Sequence, residues 1–107
     1  MTVVFLQSAE ADLKQLRGYI VKNFGQLVWR GSYDKIRAAV ALIDAHPKAG
    51  RIPPELERLN IAQYRQVLSG MNRLIYELRG DTAYIHIVCD TRRDLHELLM
   101  QRIVDPG

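Results

Sequence analysis

A chain of 107 residues supports one modest hydrophobic core, so a single domain spanning residues 1–107 is expected. Its 48 % apolar and 25 % charged residues are ordinary for a soluble globular protein, and no apolar run approaches the roughly 20 residues of a membrane helix, so a cytoplasmic protein without a membrane partner is expected. The formal net charge of +3 favours an anionic partner without demanding one, and beyond Gly50 the chain uses arginine and no lysine, the residue whose planar fork grips phosphate or carboxylate bidentately.

In chain order, Val3-Val4-Phe5-Leu6 is a β-branched and aromatic run that reads as a first strand. Ser8 is placed to cap a helix from about Ala9 to Asn23, with Glu10 and Asp12 near its positive end. Leu13, Leu16, Ile20 and Phe24 give that helix one apolar stripe, and Gly25 stops it. Trp29, Tyr33, Ile36, Val40 and Ile43 form a second helical seam, expected to begin nearer Ser32 because Gly31 weakens the first turn. The short connection makes the two helices an antiparallel hairpin, which His46-Pro47 ends. The irregular stretch Lys48–Gln63 follows, with Pro53-Pro54-Glu55-Leu56-Glu57 opening one short helical turn.

Three strand-like runs come next: Tyr64–Ser69, Asn72–Arg79 and Thr82–Cys89. Gly70 and Gly80 mark tight turns between them, which makes an antiparallel meander. A closing helix runs from Thr91 or Arg92 to Ile103 on Leu95, Leu98, Leu99 and Ile103, and Asp105-Pro106-Gly107 frays. The fold expected is therefore α+β: an N-terminal strand, a helical hairpin packed on a small antiparallel sheet of about four strands, and a short C-terminal helix.

If the hairpin covers one face of the meander, the other face is open. Arg65 and Arg73 on adjacent strands are then expected to share that open face, joined from the strand end by Arg92 or Arg93. Converging guanidiniums repel one another and await an anionic partner, nucleic-acid phosphate or an acidic protein segment. The alternative is local pairing, Arg65 with Glu77 and Arg92 or Arg93 with Asp90 or Asp94. For RNA cleavage arginine supplies the cation but hardly deprotonates, so a shuttle is needed, with His96 the first candidate and His86 or Tyr84 behind it. The lone Cys89 reads as a buried hydrophobe, and His46, His86 and His96 lack metal-ligand spacing, so neither a metal nor a cofactor is expected.

The order of elements resembles the RelE/ParE superfamily of bacterial toxins from type II toxin–antitoxin systems. So do His46-Pro47-Lys48-Ala49-Gly50-Arg51, Tyr64-Arg65 with Arg73-Leu74-Ile75-Tyr76, and Thr91-Arg92-Arg93-Asp94-Leu95. The resemblance implies a toxin neutralised by a cognate antitoxin whose tail folds over it, in a toxin–antitoxin hetero-oligomer. RelE-like members are ribosome-dependent mRNA interferases; that branch would place catalysis on Arg65, Arg73, Arg93 and His96. Val67 stands where such members carry a lysine, and no tyrosine follows Tyr84. ParE-like members inhibit DNA gyrase and are not enzymes, and the long hairpin with its Pro-Lys-Ala-Gly-Arg turn is more similar to them. On that branch Arg51, Arg65, Arg73, Arg92 and Arg93 contact target or antitoxin, together with the exposed hairpin surface and the C-terminal segment. A non-toxic binding module with structural arginines is the third reading.

Overall fold

The computed structural model describes residues 2–104, with the backbone alone at 103 and 104. The elements are β1 (Thr2–Phe5), α1 (Gln7–Phe24), α2 (Gln26–Ala45), α3 (Pro54–Glu57), β2 (Tyr64–Ser69), β3 (Asn72–Arg79), β4 (Thr82–Asp90) and α4 (Leu95–Val104). The side chain of Ile103 and the expected fraying at 105–107 lie outside the described residues. No described helix is long and apolar enough to cross a membrane.

The strands form one sheet in the order β1-β4-β3-β2. The meander is antiparallel as expected, with Gly70 and Gly80 at φ +61° and +59°, values that glycine adopts without strain. The sheet is nevertheless mixed, because β1 runs parallel to β4, pairing Thr2 with Thr82 through Phe5 with Ile85. On β4 His86 is an extra residue, since Ile75 pairs with Ile87 and Tyr76 with Ile85. This bulge flips the alternation of β4, so Ala83, Ile85 and Val88 face one core while Ile87 and Cys89 face another.

The first core lies under the helical hairpin, where Ala9, Ala39 and Ile43 pack on Val67, Leu74, Tyr76 and Ile85. α1 starts without the expected Ser8 cap. The extended Leu6 takes that place with no side-chain cap, and the Ser8 hydroxyl instead lies 3.4 Å from the His86 carbonyl of the bulge. α2 starts at Gln26 rather than Ser32, because Gly25 at φ +92° turns the chain in one residue. The seams are shorter than their periodicity suggests. Phe24 is exposed at the hairpin's outer end, and Tyr33 is half-exposed where α2 faces β1.

The second face is not open. Leu56 of α3 and Leu95, Leu98 and Leu99 of α4 close over Ile75, Ile87 and Cys89. Each buried leucine contributes about 1.5–3 kcal/mol, so the short C-terminal helix holds firmly to the sheet. Asp94 caps it, its carboxylate accepting the Glu97 N–H at 3.1 Å.

Candidate functional site

The two-residue turn at Gly70-Met71 pairs Ser69 with Asn72, which sets Arg65 opposite Tyr76 and Arg73 opposite Leu68. Directly paired residues point to the same face. Arg65 therefore lies on the hairpin side with Tyr76, whereas Arg73 lies on the α3/α4 side with Ile75. The expected convergence of Arg65 and Arg73 on one open patch does not occur.

Arg65 works as a strut. Its Nη1 donates to the carbonyls of Gly50 at 2.7 Å and Lys48 at 3.3 Å. The buried Tyr76 hydroxyl donates to the Pro47 carbonyl at 2.6 Å and accepts the Gly50 N–H at 3.1 Å. Burial pushes the Tyr76 hydroxyl above its ordinary range, so it stays protonated and able to donate. Gly50 has no room for a side chain, because an added Cβ would collide with the Tyr76 hydroxyl and the Gln66 carbonyl. The Pro-Lys-Ala-Gly-Arg turn is thus fixed by β2 and β3, and Arg51 leaves it as a one-residue bridge to Gln66.

Arg73 is 4 % exposed. Its Nη1 and Nη2 donate to the two Glu55 carboxylate oxygens at 3.1 and 2.9 Å. Nη1 also donates to Gln66 Oε1 at 3.0 Å, and Nη2 to the Arg93 carbonyl at 3.1 Å. Burial pulls the guanidinium down, but the Glu55 carboxylate outweighs it and holds it above its ordinary range. In return the Arg73 hydrogen bonds hold Glu55 below the usual carboxylate range. Burial raises the Cys89 thiol, which stays neutral beside Arg73. Arg73 Nε is the one guanidinium nitrogen left without a hydrogen-bond partner.

This network floors a groove of about 520 Å³ between α3 and the edge strand β2, whose rim carries Arg51 and Arg58. Its lining includes Gln66, Leu68 and Thr91 but no His, Tyr or Lys. The groove can bind an anion but is poorly equipped to move protons, because its one carboxylate is a weakened base. Sequence reasoning missed Glu55, Arg58 and Gln66. A buried arginine demands a carboxylate, and the Glu55 of the one-turn helix was the available signal.

Arg92 and Arg93 border a different cavity, of about 450 Å³ between α1 and α4. Arg92 is clamped by Asp90, Nε to Oδ1 at 2.9 Å and Nη2 to Oδ2 at 3.0 Å, and that contact lowers the Asp90 carboxyl to about 2. The expected Arg92–Asp90 pairing is met, whereas Glu77 pairs with Arg79 and His86 rather than with Arg65. The Arg93 side chain is exposed, and its carbonyl serves Arg73. His96 is exposed in the first turn of α4 and lines neither cavity. Among the described residues no cluster of His, Cys, Asp and Glu could hold a metal ion.

Asp12 of α1 crosses the same cavity to the bulge. It accepts the Val88 N–H at 3.0 Å and an Arg102 Nη2–H at 2.7 Å, and Arg102 Nη1 donates to the His86 carbonyl at 3.0 Å. A third concavity, of about 660 Å³, is mostly apolar and lies between β1 and α2, lined by Val3, Phe5, Leu13, Tyr33, Ile36 and Val40 with Glu10, Arg37 and Asp44 among its polar residues.

The family described as the ParE toxin of the type II toxin–antitoxin system parDE matches residues 3–95. Among solved structures, the chain is similar to one from the chromosomal ParDE toxin–antitoxin system of P. aeruginosa, with a TM-score of 0.68 at 17 % identity, covering 84 % of this chain and 95 % of that one. It is also similar to a chain of the heterotetrameric YoeB-YefM toxin–antitoxin complex from Staphylococcus aureus, with a TM-score of 0.55 at 17 % identity, covering 87 % and 98 %. These likenesses establish the fold, and no curated protein matches the chain in sequence.

Proposed function

Because this chain belongs to the ParE toxin family of type II toxin–antitoxin systems, we propose that it arrests growth through contact with a protein target, DNA gyrase, and is neutralised by a cognate antitoxin. The observation that carries this reading is the state of Arg73. A cation meant for a developing phosphorane must be free to meet it. Here the guanidinium is buried and spent on Glu55, Gln66 and the Arg93 carbonyl. Arg65 points to the other face, and His96 lines neither the groove over Arg73 nor the cavity beside Arg92 and Arg93. The set that a nuclease would need is dispersed.

Antitoxin contact falls to the exposed Arg51 and Arg93, with Arg92 exposed beside them on its Asp90 pair, while Arg65 and Arg73 serve the chain's own architecture. The apolar groove beside the outer edge of β1 suits a partner segment with apolar side chains. The alternative, a ribosome-dependent mRNA interferase, is favoured only by the basic rim of the groove at Arg51 and Arg58, which could receive phosphate.

The test is a supercoiling assay with purified protein, run beside mapping of ribosome-bound transcript ends after induction. Inhibited supercoiling with intact transcripts is expected. Unaffected gyrase with cleaved message would overturn the reading.

A further inference from the structure

The outer end of the helical hairpin combines two features that neither core explains. From Leu13 to Tyr33 the chain carries Lys14, Arg17, Lys22 and Arg30 and no carboxylate. All four cations are exposed, and none has an acidic partner among the described residues. At the tip, where Gly25 alone joins the helices, Leu27 is 80 % exposed, Tyr19 and Phe24 are 60 % exposed and stacked edge-on at 6.1 Å, and Val28 is 48 % exposed. A cluster of large apolar side chains with unpaired charge beside it, Lys22 and Arg30 near the tip and Lys14 and Arg17 farther down α1, marks an interaction site. Along α1, Gly18 opens a notch of about 320 Å³ between Lys14, Arg17, Val21 and Lys22. A glycine inside a helix costs stability, and nothing lies within 4 Å of a Cβ placed there, so packing does not require it.

Shape selects the kind of partner. A groove suits an extended or disordered segment, whereas this tip is a convex knob on a two-helix arm. Such a knob fits a preformed cleft in a folded protein. The four unpaired cations call for carboxylates around the mouth of that cleft, since complementary charge steers encounter and fixes orientation. We infer that the hairpin tip is the target-binding element of this toxin, inserting Phe24 and Leu27 into an apolar cleft rimmed by acidic residues on the target protein. The Gly18 notch receives a side chain of that rim. This deepens the proposal of a protein target and rests on it, but not on the target being gyrase.

Four variants of the full chain test it: Leu27→Glu, Lys22→Glu/Arg30→Glu, Gly18→Leu, and Leu59→Glu as a half-exposed apolar control away from the tip. None alters a buried residue, so unchanged circular dichroism is expected throughout, with an unchanged melting temperature for all but Gly18→Leu, which should melt higher because it removes a glycine from a helix interior. Growth arrest on induction, inhibition of purified gyrase and antitoxin binding are read for each. Each tip variant is expected to need at least about tenfold more protein for arrest, while the control and all antitoxin affinities stay unchanged; about tenfold corresponds to about 1.4 kcal/mol of binding. Arrest by the tip variants at wild-type potency overturns the inference. So does a tenfold loss of antitoxin affinity with toxicity retained, which makes the knob the antitoxin's site. Binding to duplex DNA or anionic vesicles that is lost in the charge reversal but kept in Leu27→Glu makes the tip a polyanion site and also overturns it. A wild-type chain that arrests growth without inhibiting gyrase, with the tip variants still attenuated, removes gyrase as the target and leaves the inference standing. A wild-type chain that never arrests growth removes both.

Discussion

Replacing Glu55 by alanine tests whether Arg73 belongs to the architecture or to a binding site. The substitution leaves a guanidinium with 5 % side-chain exposure facing only Gln66 Oε1 and the Arg93 carbonyl. Removing one partner of a buried ion pair costs about 3–5 kcal/mol; because the Glu55 side chain is itself 31 % exposed, about 2–3 kcal/mol is the better expectation. For a domain of this size that lowers the melting temperature by roughly 10–20 °C. Arg73→Met should cost less than Glu55→Ala, since Glu55 can turn into water while the Met side chain keeps much of the buried volume. The double variant should resemble Arg73→Met alone, giving a coupling energy of about 2 kcal/mol in a denaturant-monitored cycle. The pH dependence has a definite sign. Arg73 lowers Glu55 in the folded chain below its ordinary 4.5, so its stabilisation is complete above that pH and is lost as pH falls through the folded value. The gap between wild type and Glu55→Ala should therefore be full near neutrality and close in acid. A Glu55→Ala variant melting within about 2 °C of wild type would refute the view that Arg73 is held for structure.

Gly50→Ala drives a methyl group into the Tyr76 hydroxyl and the Gln66 carbonyl, and should destabilise by about 1–3 kcal/mol in urea unfolding. Tyr76→Phe, which orphans the Pro47 carbonyl and the Gly50 N–H, should cost about 1–3 kcal/mol at the same turn. Arg102→Ala frees the His86 carbonyl and the Asp12 carboxylate, with an expected loss of about 2 kcal/mol and faster hydrogen exchange at Val88. The Asp90 carboxyl should titrate near pH 2 by NMR and move toward 4 in Arg92→Ala, because Arg92 is the main cause of its shift.

Strand positions and turns were legible because each is written locally, in β-branched runs and in glycines whose positive φ the turns require. The faces were harder to read. Equal alternation along β2 and β3 suggests that Arg65 and Arg73 lie together, yet a two-residue turn pairs Ser69 with Asn72 and so matches odd positions on β2 with even ones on β3. Counting through the turn separates the two arginines, and Ile75 beside Arg73 signals a second buried face. The His86 bulge could not be counted, because the extra residue is held by Asp12, Ser8 and Arg102 from elements distant in the chain. The same distance hid Glu55, whose partner lies 18 residues away on a strand. Arginine abundance therefore misdirects here. Those nearest the sheet are consumed by carboxylates and carbonyls that only the folded chain brings to them. On the hairpin arm Lys14, Arg17, Lys22 and Arg30 have no acidic partner among the described residues, and there periodicity alone assigns Phe24 to a core that it does not enter.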